Sequence, residues 1–180
     1  SGDVLLTRGF FQEGLAVVDR DGKEHDLTWL NRSEIADISE DGNTAVFTES
    51  IGEAPFVCVR RRDAPDAVRL GEGQAKALSP DGKWVLGVSK ETFVLYPLGA
   101  GAPRVLPLVG IERPFDIHWA LFFPDGKRLL IIVNSTENAR LYSLEIESGT
   151  LKPISPEDQS AGTSMTHPFS PDARRLLASV

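Results

Sequence analysis

Any chemistry in this chain has to come from few residues. His25, His118 and His167 are its three histidines, and Cys58 is its single cysteine. The histidines stand far apart, without the short spacing that holds a zinc ion. Asp19, Asp21, Glu24 and Asp26 alternate like the start of a calcium loop, but the twelve-residue pattern with its closing bidentate glutamate is missing. The Asp21-Gly22 pair between two apolar runs reads instead as a β-turn. No Gly-x-Ser-x-Gly nucleophile elbow occurs. Cys58 lies in the apolar run Phe56-Val57-Cys58-Val59, where a buried, inert thiol is expected. The most unusual polar and aromatic cluster is Asp116-Ile117-His118-Trp119, and Ser164-Met165-Thr166-His167 holds the matching place one repeat later. Both precede a repeated turn and so lie near the innermost strand of their repeat, which makes Asp116, His118, Trp119 and His167 the candidates for a ligand-facing surface lining a central channel. The competing reading is structural: a histidine or tryptophan here ties neighbouring strands together. Trp29, Trp84 and Trp119 read as packing groups. No cofactor and no metal is implied.

The elements that must position these residues come from a repeat. The segments around Asp41-Gly42, Asp81-Gly82, Asp125-Gly126 and Asp172-Ala173 each carry a turn between apolar runs, at intervals of 40, 44 and 47 residues. In the Ser79-Pro80-Asp81-Gly82-Lys83 copy, proline presets φ at the first turn position and aspartate bonds back to nearby amides. Glycine then takes the left-handed conformation that closes the turn. The fourth copy has Ala173 in the glycine position, which costs turn stability or demands another turn type. A third apolar strand follows each hairpin (Pro55–Val59, Thr92–Tyr96, Arg140–Ile146). A fourth of mixed character comes after it (Ala67–Leu70, Pro103–Leu106, Leu151–Ile154). Proline suits that fourth strand, because an outer edge tolerates a missing amide donor.

Four strands per period, with no helical periodicity, predict an all-β fold: a β-propeller of four-stranded antiparallel blades. The blades are expected at 33–72, 74–110 and 115–157, with partial blades at 1–30 and 163–180, giving about four per chain in a single domain. The two partial blades could complete one another in a ring of four, or two chains could share blades in a ring of about eight. A fragment cut from a longer propeller would instead expose strand edges and apolar faces. A homo-oligomer with shared blades is thus one expectation.

Charge narrows the partner classes. The net charge of −7 repels polyanions, so nucleic acid is excluded as a partner. Arg60-Arg61-Arg62, followed by Asp63 and Asp66, reads as a solvated strand end. No stretch reaches the roughly 18 apolar residues of a membrane span, and no signal peptide is seen. Ser1-Gly2 looks like the scar of a cleaved tag, which leaves localisation open.

The Ser-Pro-Asp-Gly-Lys hairpins resemble the TolB-like, WD-repeat-like propeller family. The strings Ala36–Phe47 and Val68–Trp84, with Trp119–Lys127 and Pro153–Glu157, are similar to the propeller region of bacterial serine/threonine kinase-like receptors. This resemblance covers about Asp26 to the end of the chain, although no glycine-rich phosphate loop and no His-Arg-Asp triplet accompanies it. It implies a non-enzymatic sensor or binding module for protein or peptide partners, extracytoplasmic and part of a larger receptor. The alternative is a propeller that gates a prolyl-oligopeptidase-type hydrolase lying outside this chain.

Overall fold

The structure is a computed structural model that describes residues 16–18, 21–26, 32–52, 54–64, 66–90, 92–109, 116–134 and 139–156. Within them every regular element is a strand. A two-stranded hairpin, β1 (Ala16–Val18) and β2 (Glu24–Asp26), turns at Gly22 with φ +81°. A four-stranded sheet follows, built from β3 (Ser33–Ile38), β4 (Thr44–Ile51), β5 (Ala54–Arg61) and β6 (Val68–Glu72). The second sheet holds β7 (Gln74–Leu78), β8 (Trp84–Ser89), β9 (Thr92–Pro97) and β10 (Arg104–Val105). The third holds β11 (Asp116–Phe122), β12 (Arg128–Asn134), β13 (Ala139–Glu145) and β14 (Leu151–Pro153). In each four-stranded sheet the strands lie in sequence order and run antiparallel, so chain connectivity alone makes three meanders. Pro153 sits in the edge strand β14, where no further ladder amide is required.

The repeated turns open each meander. Gly42, Gly82 and Gly126 have φ of +70°, +68° and +66°. Each donates its amide to the carbonyl three residues earlier, on Ser39, Ser79 or Phe123, at 2.8–2.9 Å. The aspartate before each glycine accepts the backbone amide two residues on, at 3.0 Å for Asp41, 3.1 Å for Asp81 and 2.8 Å for Asp125. The turn chemistry is therefore local and repeated in these three copies. The turn at Asp172, with Ala173, lies outside the described residues.

Alternation along the strands explains how the sheets stack. On β8 and β9, Val85, Val94 and Tyr96 join Val46, Val57 and Val59 of the first sheet in one buried cluster. Their neighbours Leu86, Phe93 and Leu95 point the other way and pack with Ala120, Phe122, Leu129 and Ile131 of the third. The second sheet thus buries both faces, which is why its middle strands read as unbroken apolar runs. Each such side chain contributes about 1.5–3 kcal/mol on burial. The outward faces are buried as well: Phe47 and Cys58 of the first sheet and Leu130 of the third are 0% exposed. The bare apolar faces expected of an open arc do not occur at these residues.

Candidate functional site

The space between the second and third sheets, at the end where their turns lie, opens into a cleft of about 450 Å³. That volume falls in the range of ligand-binding clefts. Its depth is apolar, with Leu95, Phe122 and Ile146 all at most 9% exposed. Trp84 and the turn prolines Pro80 and Pro124 form its walls, and Asp81, Asp125 and Arg104 supply its charge. The two turns are brought so close that a side chain grown on Gly126 would meet the ring of Pro80 at 3.9 Å. The repeat positions this site: Pro80 and Pro124 are the same turn position in adjacent sheets, and Trp84 opens β8 two residues after the turn glycine. The first sheet has Glu40 and Thr44 at the equivalent places, so the proline-and-tryptophan lining is particular to this junction.

Both cleft carboxylates are engaged by their own turns. The Ser79 hydroxyl donates to Asp81 Oδ1 at 2.7 Å and accepts the Trp84 amide at 2.9 Å. That hydroxyl, with the Lys83 amide and ammonium, holds Asp81 below the usual carboxylate range. Ser39 and Asn43 do the same for Asp41. In the third sheet Phe123 replaces the serine, and an arginine takes over. Arg128 donates to Asp125 Oδ2 from Nε at 2.8 Å and from Nη2 at 2.6 Å, while its guanidinium lies 4.3 Å from the centre of the Phe123 ring. Burial pushes Asp125 upward, but the Lys127 amide, the guanidinium and the Arg128 amide outweigh it and leave the carboxyl depressed. These shifts come from turn hydrogen bonds, a structural cause rather than a catalytic one.

Arg104 differs. It crosses the junction to donate from Nη2 to the Ile146 carbonyl at 3.1 Å and, weakly, to that of Glu147 at 3.5 Å. The junction is fastened further by the Val109–Thr150 bridge. Between the first and second sheets three further hydrogen bonds act as fasteners. Asp37 accepts its neighbour Ile38's amide and, across the junction, the Leu78 amide, both at 2.8 Å. Thr48 Oγ1 accepts the Ala75 amide at 3.0 Å. The Tyr96 hydroxyl donates to the Glu72 carbonyl at 2.6 Å. At the repeat position of Asp37 the second sheet has Ala77, so the third sheet receives no matching carboxylate.

The residues singled out from sequence divide between these places. Asp41, Gly42, Asp81, Gly82, Asp125 and Gly126 are turn residues, and three of them also line the cleft. Asp116 and His118 lie on β11, the first strand of the third sheet, where the register with β12 shifts between Ile117 and Trp119. Strict alternation would put Asp116, His118 and Ala120 on one face; the bulge at His118 breaks it. In β3 and β7 the corresponding shift falls two residues nearer the turn, at Ala36 and Lys76. Trp119 is half-buried against Leu130, Ile132 and Leu141. Trp84 packs against the core between the second and third sheets as expected of a packing group, yet it also forms a cleft wall. Trp29, His167 and Asp172 lie outside the described residues. Cys58 is buried, and desolvation pushes its thiol up to about 11. Arg61 pairs with Asp63 at 3.4 Å with both side chains in solvent.

Sequence reasoning missed Arg104, Asp37 and Glu49. Glu49 is 0% exposed, and it accepts the Ser33 hydroxyl and, at 3.2 Å, the Arg32 amide. Among the described residues no group of three or more His, Cys, Asp or Glu side chains is placed to hold a metal. Among the described residues no helix is long and apolar enough to cross a membrane.

Meanders of four antiparallel strands, stacked face to face and each opened by the same turn, define a β-propeller fold. Solved structures carry the fold assignment. TolB from Acinetobacter baumannii superimposes with a TM-score of 0.64 at 21% identity, covering 86% of this chain and 39% of that one. A protein of Agrobacterium tumefaciens described as TolB gives 0.72 at 15% identity, over 92% of this chain and 64% of its own. An oligogalacturonate lyase in complex with manganese gives 0.58 at 16% identity, over 82% and 48%. The chain therefore spans between two fifths and two thirds of the length of these structures. Neither a protein-family model nor a curated protein sequence matches it.

Proposed function

We propose that this propeller is a binding module whose partner is a protein or peptide, and that the partner docks at the cleft between the second and third sheets. The observation that carries this reading is the lining: an apolar floor, a tryptophan and two prolines at the mouth of a 450 Å³ cleft. Concave apolar surface edged by a few polar groups is what peptide side chains seek. Support against a catalytic use comes from Asp81 and Asp125, whose depressed pKa values trace to turn hydrogen bonds rather than to a poised acid or base. A sensor role within a larger, extracytoplasmic receptor is the setting the sequence resemblance suggests. Gating of a hydrolase domain outside this chain is the setting of the alternative, and the same cleft would then face that domain. Selection of peptides displayed on phage against the purified chain tests the reading. Enriched peptides should bind at least tenfold more weakly to Trp84→Ala or Ile146→Ser than to the parent. Peptides indifferent to both variants, or no enrichment at all, would refute it.

A further inference from the structure

We infer that the cleft recognises a peptide's C-terminal residue, an apolar side chain with its α-carboxylate; the inference rests on the docking reading above. Of the three charged residues lining the cleft, Asp81 is matched by Lys83, with Nζ 3.5 Å from Oδ2, and Asp125 by Arg128 at 2.6 Å. Arg104 alone has no carboxylate partner among the described residues. Its Nη2 donates to the Ile146 carbonyl and, weakly, to that of Glu147, and among the described residues no hydrogen bond uses its Nε or Nη1 donors, which face no carboxylate there. Arg104 is exposed, and the neutral carbonyls that tether its Nη2 leave the guanidinium's charge uncompensated and bias its orientation, which lowers the side-chain entropy lost when an anion arrives. The apolar floor of Leu95, Phe122 and Ile146, with the Trp84 ring, demands a hydrophobic group at the same time. A C-terminal residue offers both groups from one Cα atom. An internal acidic residue would need a second side chain for the floor, and chain leaving in both directions past the two hairpin turns that close on each other at Pro80 and Gly126.

The test uses two acetylated tetrapeptides of sequence Gly-Ser-Leu-Phe, one ending in the free carboxylate and one in the carboxamide, titrated into the ¹⁵N-labelled chain. The carboxylate peptide is expected to shift the Trp84 indole and Arg104 Nε signals saturably. Its affinity should exceed that of the carboxamide by about tenfold, the worth of one charge-assisted hydrogen-bonding contact. Arg104→Gln should erase that difference, and Arg104→Lys should restore part of it, which separates charge recognition from damage to the junction. Equal affinity of the two peptides, or a difference that survives Arg104→Gln, overturns the carboxylate inference while leaving the docking reading intact. Absence of any shift with both peptides overturns the C-terminal inference, whereas the docking reading is lost only if displayed peptides also ignore Trp84 and Ile146. A peptide with an internal Asp-Phe pair and an amidated end distinguishes the remaining source of a carboxylate: tighter binding than the free C-terminus would contradict the proposal.

Discussion

The junction between the first and second sheets turns on one aromatic ring, and Gly71→Ala is the substitution that measures it. Tyr96 is 5% exposed and lies over Gly71 on one side and Gly87 on the other. A Cβ at Gly71 would stand 2.3 Å from Cε1 and 2.9 Å from Cζ of the ring. Ordinary carbon contacts are about 3.5–4.0 Å, so the ring must yield by roughly 1.2 Å or more. It has no room to do so cheaply, because a Cβ at Gly87 would already meet its Cε2 at 2.9 Å and its hydroxyl is tied to the Glu72 carbonyl at 2.6 Å. Overpacking of this kind costs about 1–3 kcal/mol, and a stretched or broken hydrogen bond adds about 1 kcal/mol. A loss of about 2–4 kcal/mol follows, which in a domain of this size lowers Tm by roughly 5–15 °C. Urea denaturation of four proteins checks the cause: the parent, Gly71→Ala, Tyr96→Leu and the double variant. With the ring gone, Gly71→Ala should cost less than about 1 kcal/mol, so the two substitutions are strongly coupled. If Gly71→Ala costs the same in both backgrounds within about 0.5 kcal/mol, the ring is not the obstacle and the packing argument for this junction is wrong.

Other expectations bear on the turn and the buried thiol. Gly82 has φ +68° and open space where a Cβ would go, so Gly82→Val should lose about 1–3 kcal/mol by backbone strain alone, and Gly82→Asn clearly less; equal melting points for the two would contradict a left-handed turn residue. Asp41, Asp81 and Asp125 have folded pKa values below the unfolded value of about 3.9, so their stabilisation is complete above that pH and is lost as pH falls through the folded values. Urea midpoints should therefore drop as pH falls below about 4, and the drop should be shallower in Asp81→Asn; an unchanged acid limb would refute the turn role. Cys58, with its pKa raised to about 11 and its side chain buried, should resist a thiol reagent at pH 8 until the chain is unfolded. Rapid labelling of the native chain would show that this part of the core opens.

Much of the fold was legible because its signals are local. Pro80-Asp81-Gly82 and Phe123-Pro124-Asp125-Gly126 announce hairpins within five residues, and the apolar runs at Val85–Val88 and Leu129–Val133 leave only a strand as the next element. The candidate site was less legible, because it is made where two turns 44 residues apart come face to face. Arg104 reads as one more residue of a mixed edge strand until the third sheet brings the Ile146 carbonyl to it. Asp37 is indistinguishable in sequence from a solvated strand residue, although it bridges amides of two sheets. The bulge at His118 escaped the alternation rule for a related reason. A bulge inserts one residue without any required residue type, and in β11 it falls two positions away from its counterparts at Ala36 and Lys76. Trp84 was legible as packing, and its second role as a cleft wall became visible only with Pro124 opposite.

Chemical-shift mapping of a peptide selected against the chain tests the binding account most directly, because it lets the ligand report its own position. The account predicts perturbations concentrated at Ser79–Trp84, Leu95, Arg104, Phe122–Gly126 and Ile146. Perturbations centred on the β11 residues Asp116–Trp119, with the cleft residues silent, would contradict it and return the site to the channel-facing cluster.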